Sequence, residues 1–279
     1  MLHLVLVSLL WAFSPGLTKG LTAGLDSSFV AAARLGLALL VFLPFLRFKG
    51  LTPRLMASLA ALGAVQFGVM YLAYNESFRH LQAHEVALLT LTTPVFVTLI
   101  ADVLDRTFRT RALAAALLAV GGTVVIVFQG QHIRPTLWGL ALVQISNLAF
   151  AAGQIGYKRL RAQHPALRDR EVFGLLYAGA VALTLPVALF RVDFATFALT
   201  STQSLTLLYL GVLASGVGFF LWNIGATKVG TGALAVMNNA KIPLMVAVSL
   251  LFFGEYADIP RLFISLVLLT TAVWFAEKR

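Results

Sequence analysis

The chain has 279 residues, 59% hydrophobic and 11% charged, with a net charge of +10 and a mean hydropathy of +0.90. A soluble domain carries nearer 25% charge, so the composition describes a polytopic membrane protein and excludes a soluble enzyme or binding module. The apolar runs do not alternate as barrel strands do, and the absence of cysteine removes disulfides, thiolate metal sites and cysteine nucleophiles.

Ten runs of spanning length follow one another, at 2–20, 28–46, 54–74, 83–104, 111–129, 136–157, 171–190, 204–223, 232–253 and 259–276. The expected fold is therefore all-α, with ten transmembrane helices. The first run, MLHLVLVSLLWAF, lacks a basic n-region and a small-residue cleavage site, which makes it a span rather than a signal peptide. The connections are short and leave no room for a soluble domain. Basic residues cluster in the loops at 47–54, 106–111, 158–170 and 228, whereas Lys19, Arg79, Arg134, Arg191 and Arg261 fall on the opposite side. This is the charge bias that orients membrane proteins, with both termini cytoplasmic, and it makes a nucleic-acid partner unnecessary.

The two halves echo one another. Asn75 beside Tyr74 matches Asn223 beside Trp222, Pro94 matches Pro243, Lys19 matches Lys158, and Pro44 matches Pro186, all at nearly constant offset. Residues 1–130 and 131–279 thus read as two five-helix repeats. Because five is odd, the second copy enters from the opposite side, the arrangement that places a central cavity at the midplane between copies.

Polar residues inside the spans are the candidates for that cavity. Lys241, with Asn238 on the same helical face and Asn239 beside it, interrupts the ninth run just before Pro243. An ammonium at mid-membrane costs about 2.5–3.5 kcal/mol on insertion scales. It either meets a substrate carboxylate or forms a structural ion pair. In the first and sixth runs Trp11, Ser14, Gln144, Asn147, Gln154 and Tyr157 supply aromatic and polar groups, with Gln144, Asn147 and Gln154 forming one stripe. Thr90, Thr92 and Thr93 precede Pro94, where their hydroxyls line a cavity or bond carbonyls freed by the proline. His84 and Glu85 near the start of the fourth run offer a proton-exchanging pair, or an interfacial pair with Arg79 or His80. Tyr71, Asn75 and Trp222 complete the expected substrate-binding set. Arg34 is a cation within the second run, read as a gate or as a partner of Asp26.

LLWAFSPGLTK, TPVFVTLIADVLD, YLGVLASGVGFFLWNIGATKVG and IPLMVAVSLLFFGE, taken in order, resemble the EamA type of the drug/metabolite transporter superfamily. QAHEV at 82–86 and WNIG at 222–225 are also similar to aromatic amino-acid exporters of the YddG type. The chain departs from the family at Lys241, and at Asp102 and Asp105, where the fourth span usually ends in a glycine–glutamate pair. The resemblance implies a secondary transporter of the bacterial cytoplasmic (inner) membrane that exports small metabolites, foremost amino acids, by alternating access. It would act as monomer or homodimer, with small molecules and membrane lipid as its partners.

No GxSxG, HExxH or Walker loop occurs, so neither catalysis, nor a metal, nor any cofactor is expected. Cation or multidrug efflux is the alternative within transport, and it is opposed by Lys241. Action on lipid-linked substrates is the alternative outside it, and would fall to His84 and Glu85.

Overall fold

The structure is a computed structural model, and it describes residues 2–106, 118, 133–194, 197–229 and 242–255, with short stretches between 258 and 271. Every regular element among the described residues is helical. Six helical stretches are long and apolar enough to span a bilayer: Ser27–Phe45, Pro53–Ser77, Ala83–Leu104, Leu137–Gln163, Asp169–Arg191 and Ser201–Thr227. These coincide with six of the ten expected spans. The run at 111–129, apart from Leu118, lies outside the described residues, as do Lys241, Asn238 and Asn239.

Local chemistry sets the helix boundaries. The first run is two helices, α1 (Leu2–Trp11) and α2 (Ser14–Gly24), the second with a proline in its opening turn. Proline is tolerated there because its missing N–H would have no intrahelical partner. Asp26 caps α3 (Ser27–Phe42) by accepting from the Ser28 N–H at 2.8 Å. Thr52 caps α4 (Pro53–Gly63) in the same way, through the Leu55 N–H.

The third span does not stay α-helical. Between α4 and α5 (Met70–Ser77) lies a π-helical segment, Ala64–Val69. The fourth span is divided into α6 (Ala83–Leu89) and α7 (Thr93–Leu104) by a tight turn at Thr90–Thr92, where Pro94 cannot donate into the ladder. Then follow α8 (Ile133–Gln163) and α9 (Asp169–Arg191), both uninterrupted. The last long span repeats the widened form: α10 (Ser201–Leu208), a π segment at Tyr209–Val217, and α11 (Gly218–Thr227). Helix α12 (Ile242–Phe252) closes the described bundle. Val69 and Val217, the last residues of the two π segments, are separated by the same interval as Asn75 and Asn223.

Packing places α3, α4 and the Ala64–Val69 segment against α9, α3 also against the Tyr209–Val217 segment, α5 and α7 against α8, α6 against α12, and α1 against α11. Helices α4 and α9 cross at near backbone contact. A Cβ on Gly63 would sit 1.8 Å from the Leu176 carbonyl oxygen, and one on Gly179 would sit 1.9 Å from that of Ala60. Only hydrogen fits at either position. Apolar side chains remain on the outside, Phe190 being 96% exposed and Leu251 78%. They meet lipid, as a membrane-embedded bundle requires.

Ion pairs between Arg and Asp or Glu gather at the two ends. Arg159 with Asp105, Arg161 with Asp169, and Arg168 with Glu171 mark one end. At the other, Arg191 pairs with Asp26 and Glu76, and Arg79 with Glu76.

Candidate functional site

A partly open cavity lies within the bundle between α1, α2, α3, α5, the Thr90–Thr92 turn, α7, α8, α11 and α12. Of the residues named in the sequence, Trp11, Ser14, Arg34, Tyr71, Tyr74, Thr90, Thr93 and Asn147 line it; Phe150, Phe219 and Met245 are among its other walls. Trp11 comes from the end of α1, where its indole N–H donates to the Ala214 carbonyl at 2.8 Å. That carbonyl belongs to the π segment Tyr209–Val217, whose altered ladder leaves acceptors for side chains. The Tyr177 hydroxyl bonds the Ser215 and Gly216 carbonyls at 2.7 and 3.0 Å, and Ser215 Oγ donates back to Leu210 at 2.7 Å.

One wall is aromatic. Trp11 packs on Phe219 and Trp222 with ring centroids 4.9 and 5.2 Å apart, and Phe150 stands 5.7 Å from Phe219. The rings continue through Phe67, Tyr177 and Phe42 and fill the bundle toward the end that carries Arg47. Trp222 itself is fully buried behind this wall, and its N–H donates to Gln154 Oε1 at 3.1 Å. Gln154 and Trp222 therefore back the cavity rather than line it.

Polar groups stand beside these rings. Asn147 donates through Nδ2 to the Leu89 carbonyl at 3.0 Å and to Thr92 Oγ1 at 2.8 Å, and Gln144 Oε1 lies 2.7 Å from the same hydroxyl. Thr90 Oγ1 bonds the Ala87 carbonyl at 2.6 Å. These threonine and asparagine groups occupy the carbonyls around the break before Pro94, so they serve helix and cavity together. With its amide hydrogens engaged, Asn147 presents its carbonyl oxygen to a ligand.

Arg34 is 1% exposed. Its Nη1 donates to Thr18 Oγ1 at 2.9 Å, Nη2 to the Tyr71 hydroxyl at 2.6 Å and, weakly, to Ser14 Oγ at 3.5 Å, and Nε to Ser215 Oγ at 3.2 Å. The guanidinium also lies 4.3 Å over the Tyr71 ring. It does not pair with Asp26, as the sequence reading entertained; Asp26 is taken by its capping bond and by Arg191 at 3.3 Å.

His84, Glu85 and Asn75 lie away from the cavity wall. His84 Nδ1 is 2.8 Å from Glu255 Oε2, and the same carboxylate accepts from the Ala83 and His84 backbone N–H groups at 2.7 and 2.9 Å. Glu85 turns back to accept from the Gln82 N–H at 2.8 Å, so the adjacent pair divides rather than acting together, and neither residue pairs with Arg79 or His80. Lys19 Nζ joins this end by donating to the Leu81 carbonyl at 2.7 Å. Asn75 is fully buried, with its amide on the Ser27 carbonyl.

Residues 1–128 match the model of the EamA-like transporter family. Over 98% of its length the chain is 41% identical to a protein of Pseudomonas aeruginosa named "Probable biotin transporter", covering 96% of that protein. The chain belongs to the EamA-like transporter family. It is accordingly a multi-pass membrane transporter of small metabolites rather than an enzyme. The "Biotin transporter" of Escherichia coli is 36% identical across 99% of this chain and 92% of its own. A "Probable terminal-alkyne amino-acid exporter" of Streptantibioticus cattleyicolor is 26% identical across 90% of this chain and 84% of its own. A solved crystal structure superposes with a TM-score of 0.68 at 17% identity, covering 99% of this EamA-like chain and 95% of that one, and so shares its fold.

Sequence reasoning left Arg34 and Glu255 outside the expected set. The signal for Arg34 was present: a lone cation in an apolar run, the same feature that singled out Lys241. Glu255 carried no such signal, because its partners His84 and Ala83 lie far away in the chain.

Proposed function

We propose that the protein carries a small amphipathic carboxylic acid of the biotin type across the bacterial cytoplasmic membrane by alternating access. The supporting observation is a cavity within the bundle whose lining combines aromatic faces with an amide among hydroxyls. Biotin combines a urea, whose N–H groups suit the Asn147 carbonyl, with an apolar ring and chain that suit Trp11, Phe150 and Phe219. Full-length similarity to proteins named biotin transporters favours this substrate over an amino acid. The amino-acid reading draws its support from the exporter at 26% identity. Efflux of cations is disfavoured, because Arg34 in the wall would repel them.

Alternating access fits two five-helix repeats, residues 1–130 and 131–279, rocking about this cavity with both termini in the cytoplasm. Widened turns at matching places, Ala64–Val69 and Tyr209–Val217, support that pairing of the halves. The test is counterflow of labelled biotin in liposomes containing the purified protein. Saturable exchange, competed by unlabelled biotin and untouched by phenylalanine, is expected. Exchange of amino acids with none of biotin would replace the substrate reading by the exporter one.

A further inference from the structure

We infer that Arg34 is the carboxylate-binding residue of the cavity, the group that makes the site select acids over neutral analogues. The inference deepens the substrate reading above and rests on it for the choice of probe.

A buried guanidinium is ordinarily paired with an anion, because its desolvation is repaid only by an opposite charge and complete hydrogen bonding. Arg34 has the hydrogen bonds and lacks the charge. Thr18, Tyr71, Ser14 and Ser215 are all neutral, and no carboxylate among the described residues bonds or ion-pairs it. The acids nearest in sequence or on neighbouring helices are already engaged. Asp26 and Glu76 share Arg191, Glu76 also accepts from Ser27 and meets Arg79, Glu85 caps its own helix, and Glu255 holds His84.

The geometry also says which hydrogens are available. Guanidinium has five N–H donors in a fixed plane. Nε is spent on Ser215, one Nη1 hydrogen on Thr18 and one Nη2 hydrogen on Tyr71. That leaves the second Nη1 hydrogen without a partner, and the second Nη2 hydrogen on the 3.5 Å contact to Ser14. Each terminal nitrogen thus keeps one hydrogen that is not firmly held, and a carboxylate that meets both nitrogens is bound by its two oxygens in parallel. Ser14 and Arg34 both line the cavity, so an acid lying along Trp11 and Phe219 brings its carboxylate to the guanidinium beside the weak Ser14 contact. Tyr71, stacked on the guanidinium, holds the plane in place before the ligand arrives.

The experiment measures equilibrium binding of biotin and of its neutral carboxamide to the purified protein, wild type against Arg34→Gln and Arg34→Lys. Wild type should prefer the acid by roughly 30-fold or more, the range for a buried charge pair. Arg34→Gln should bind both at the amide's level, and Arg34→Lys, which keeps charge but not the fork, should retain part of the preference. A merely structural arginine would weaken acid and amide alike and leave their ratio unchanged, and that outcome overturns the proposal. So does a wild type with no acid preference, which needs no variant to fold. If wild type binds neither biotin compound, the substrate reading fails, and the same comparison is made with phenylalanine and phenylalaninamide. Equal binding of that pair, or a preference that Arg34→Gln leaves intact, overturns the arginine proposal separately.

Discussion

Two buried polar clusters in this bundle handle charge in opposite ways. At one end, the Glu255 carboxylate receives the His84 ring and two backbone N–H groups, with Lys19 and Glu85 close by, so acids and bases are gathered together. Around Arg34 every partner is neutral. The first cluster joins the loop after α12 to the start of α6 and is complete as it stands. The second is complete only when something anionic enters. Burial of charge alone therefore does not distinguish a fastening from a binding site; the charge balance does.

The largest effect expected is on the fastening. Glu255→Ala strands His84 and the first turn of α6, and should cost about 3 kcal/mol of stability, read as a lowered thermal transition in detergent. It should leave the acid-to-amide binding ratio untouched; a changed ratio would break the division between the clusters. Next, Tyr71→Phe removes the hydroxyl shared by Arg34 and Ser215. It should weaken acid binding by roughly fivefold with little change for the carboxamide, so that the preference shrinks by the same factor, corresponding to about 1 kcal/mol for a lost hydrogen bond. Trp11→Phe keeps a ring in the wall but loses the bond to Ala214, and a similar cost of about 1 kcal/mol should appear in stability.

A pH series sharpens the contrast. Burial opposes the charge on Glu255, but hydrogen bonds from His84 and from the Ala83 and His84 N–H groups outweigh it and hold the carboxyl below its ordinary range. Its contribution is then present in full above that ordinary range and is lost as pH falls through the depressed value. The groups facing it are His84 on α6 and, nearby, Glu85 on α6 and Lys19 on α2. Thermal stability of wild type should fall more steeply below pH 4.5 than that of Glu255→Gln. The smallest effect is expected at Lys241. With the carboxylate on Arg34, Lys241→Met should shift the acid preference by no more than about threefold, or under about 1 kcal/mol. Its loss in that variant would move the anion site to Lys241.

Much of the scaffold was legible in the sequence because bilayer thickness imposes a run length that any residue order must meet. The Gln144, Asn147 and Gln154 stripe was legible for a similar reason, since helical period puts them on one face, and all three bond inward. What misled was adjacency. His84 and Glu85 are neighbours in sequence, yet successive residues on a helix do not face each other. One reaches Glu255 and the other folds back on Gln82. Arg34 was weighed against Asp26 because the two are close in the chain, whereas Asp26 is met by Arg191. Contacts between distant segments follow the packing of helices, and run length and periodicity carry no information on which helix lies next to which.

The π segment at Tyr209–Val217 carries one further consequence. Wide turns hold surplus chain: one residue more than an α-helix of equal height accommodates. Were that surplus to migrate toward Thr227, each residue it passed would swing about 100° around the helix axis, the angle of one α-helical step. Phe219 and Trp222 stand directly in its path. A single slipped residue would thus re-aim the aromatic wall like a key turned in a lock, with no helix having to tilt.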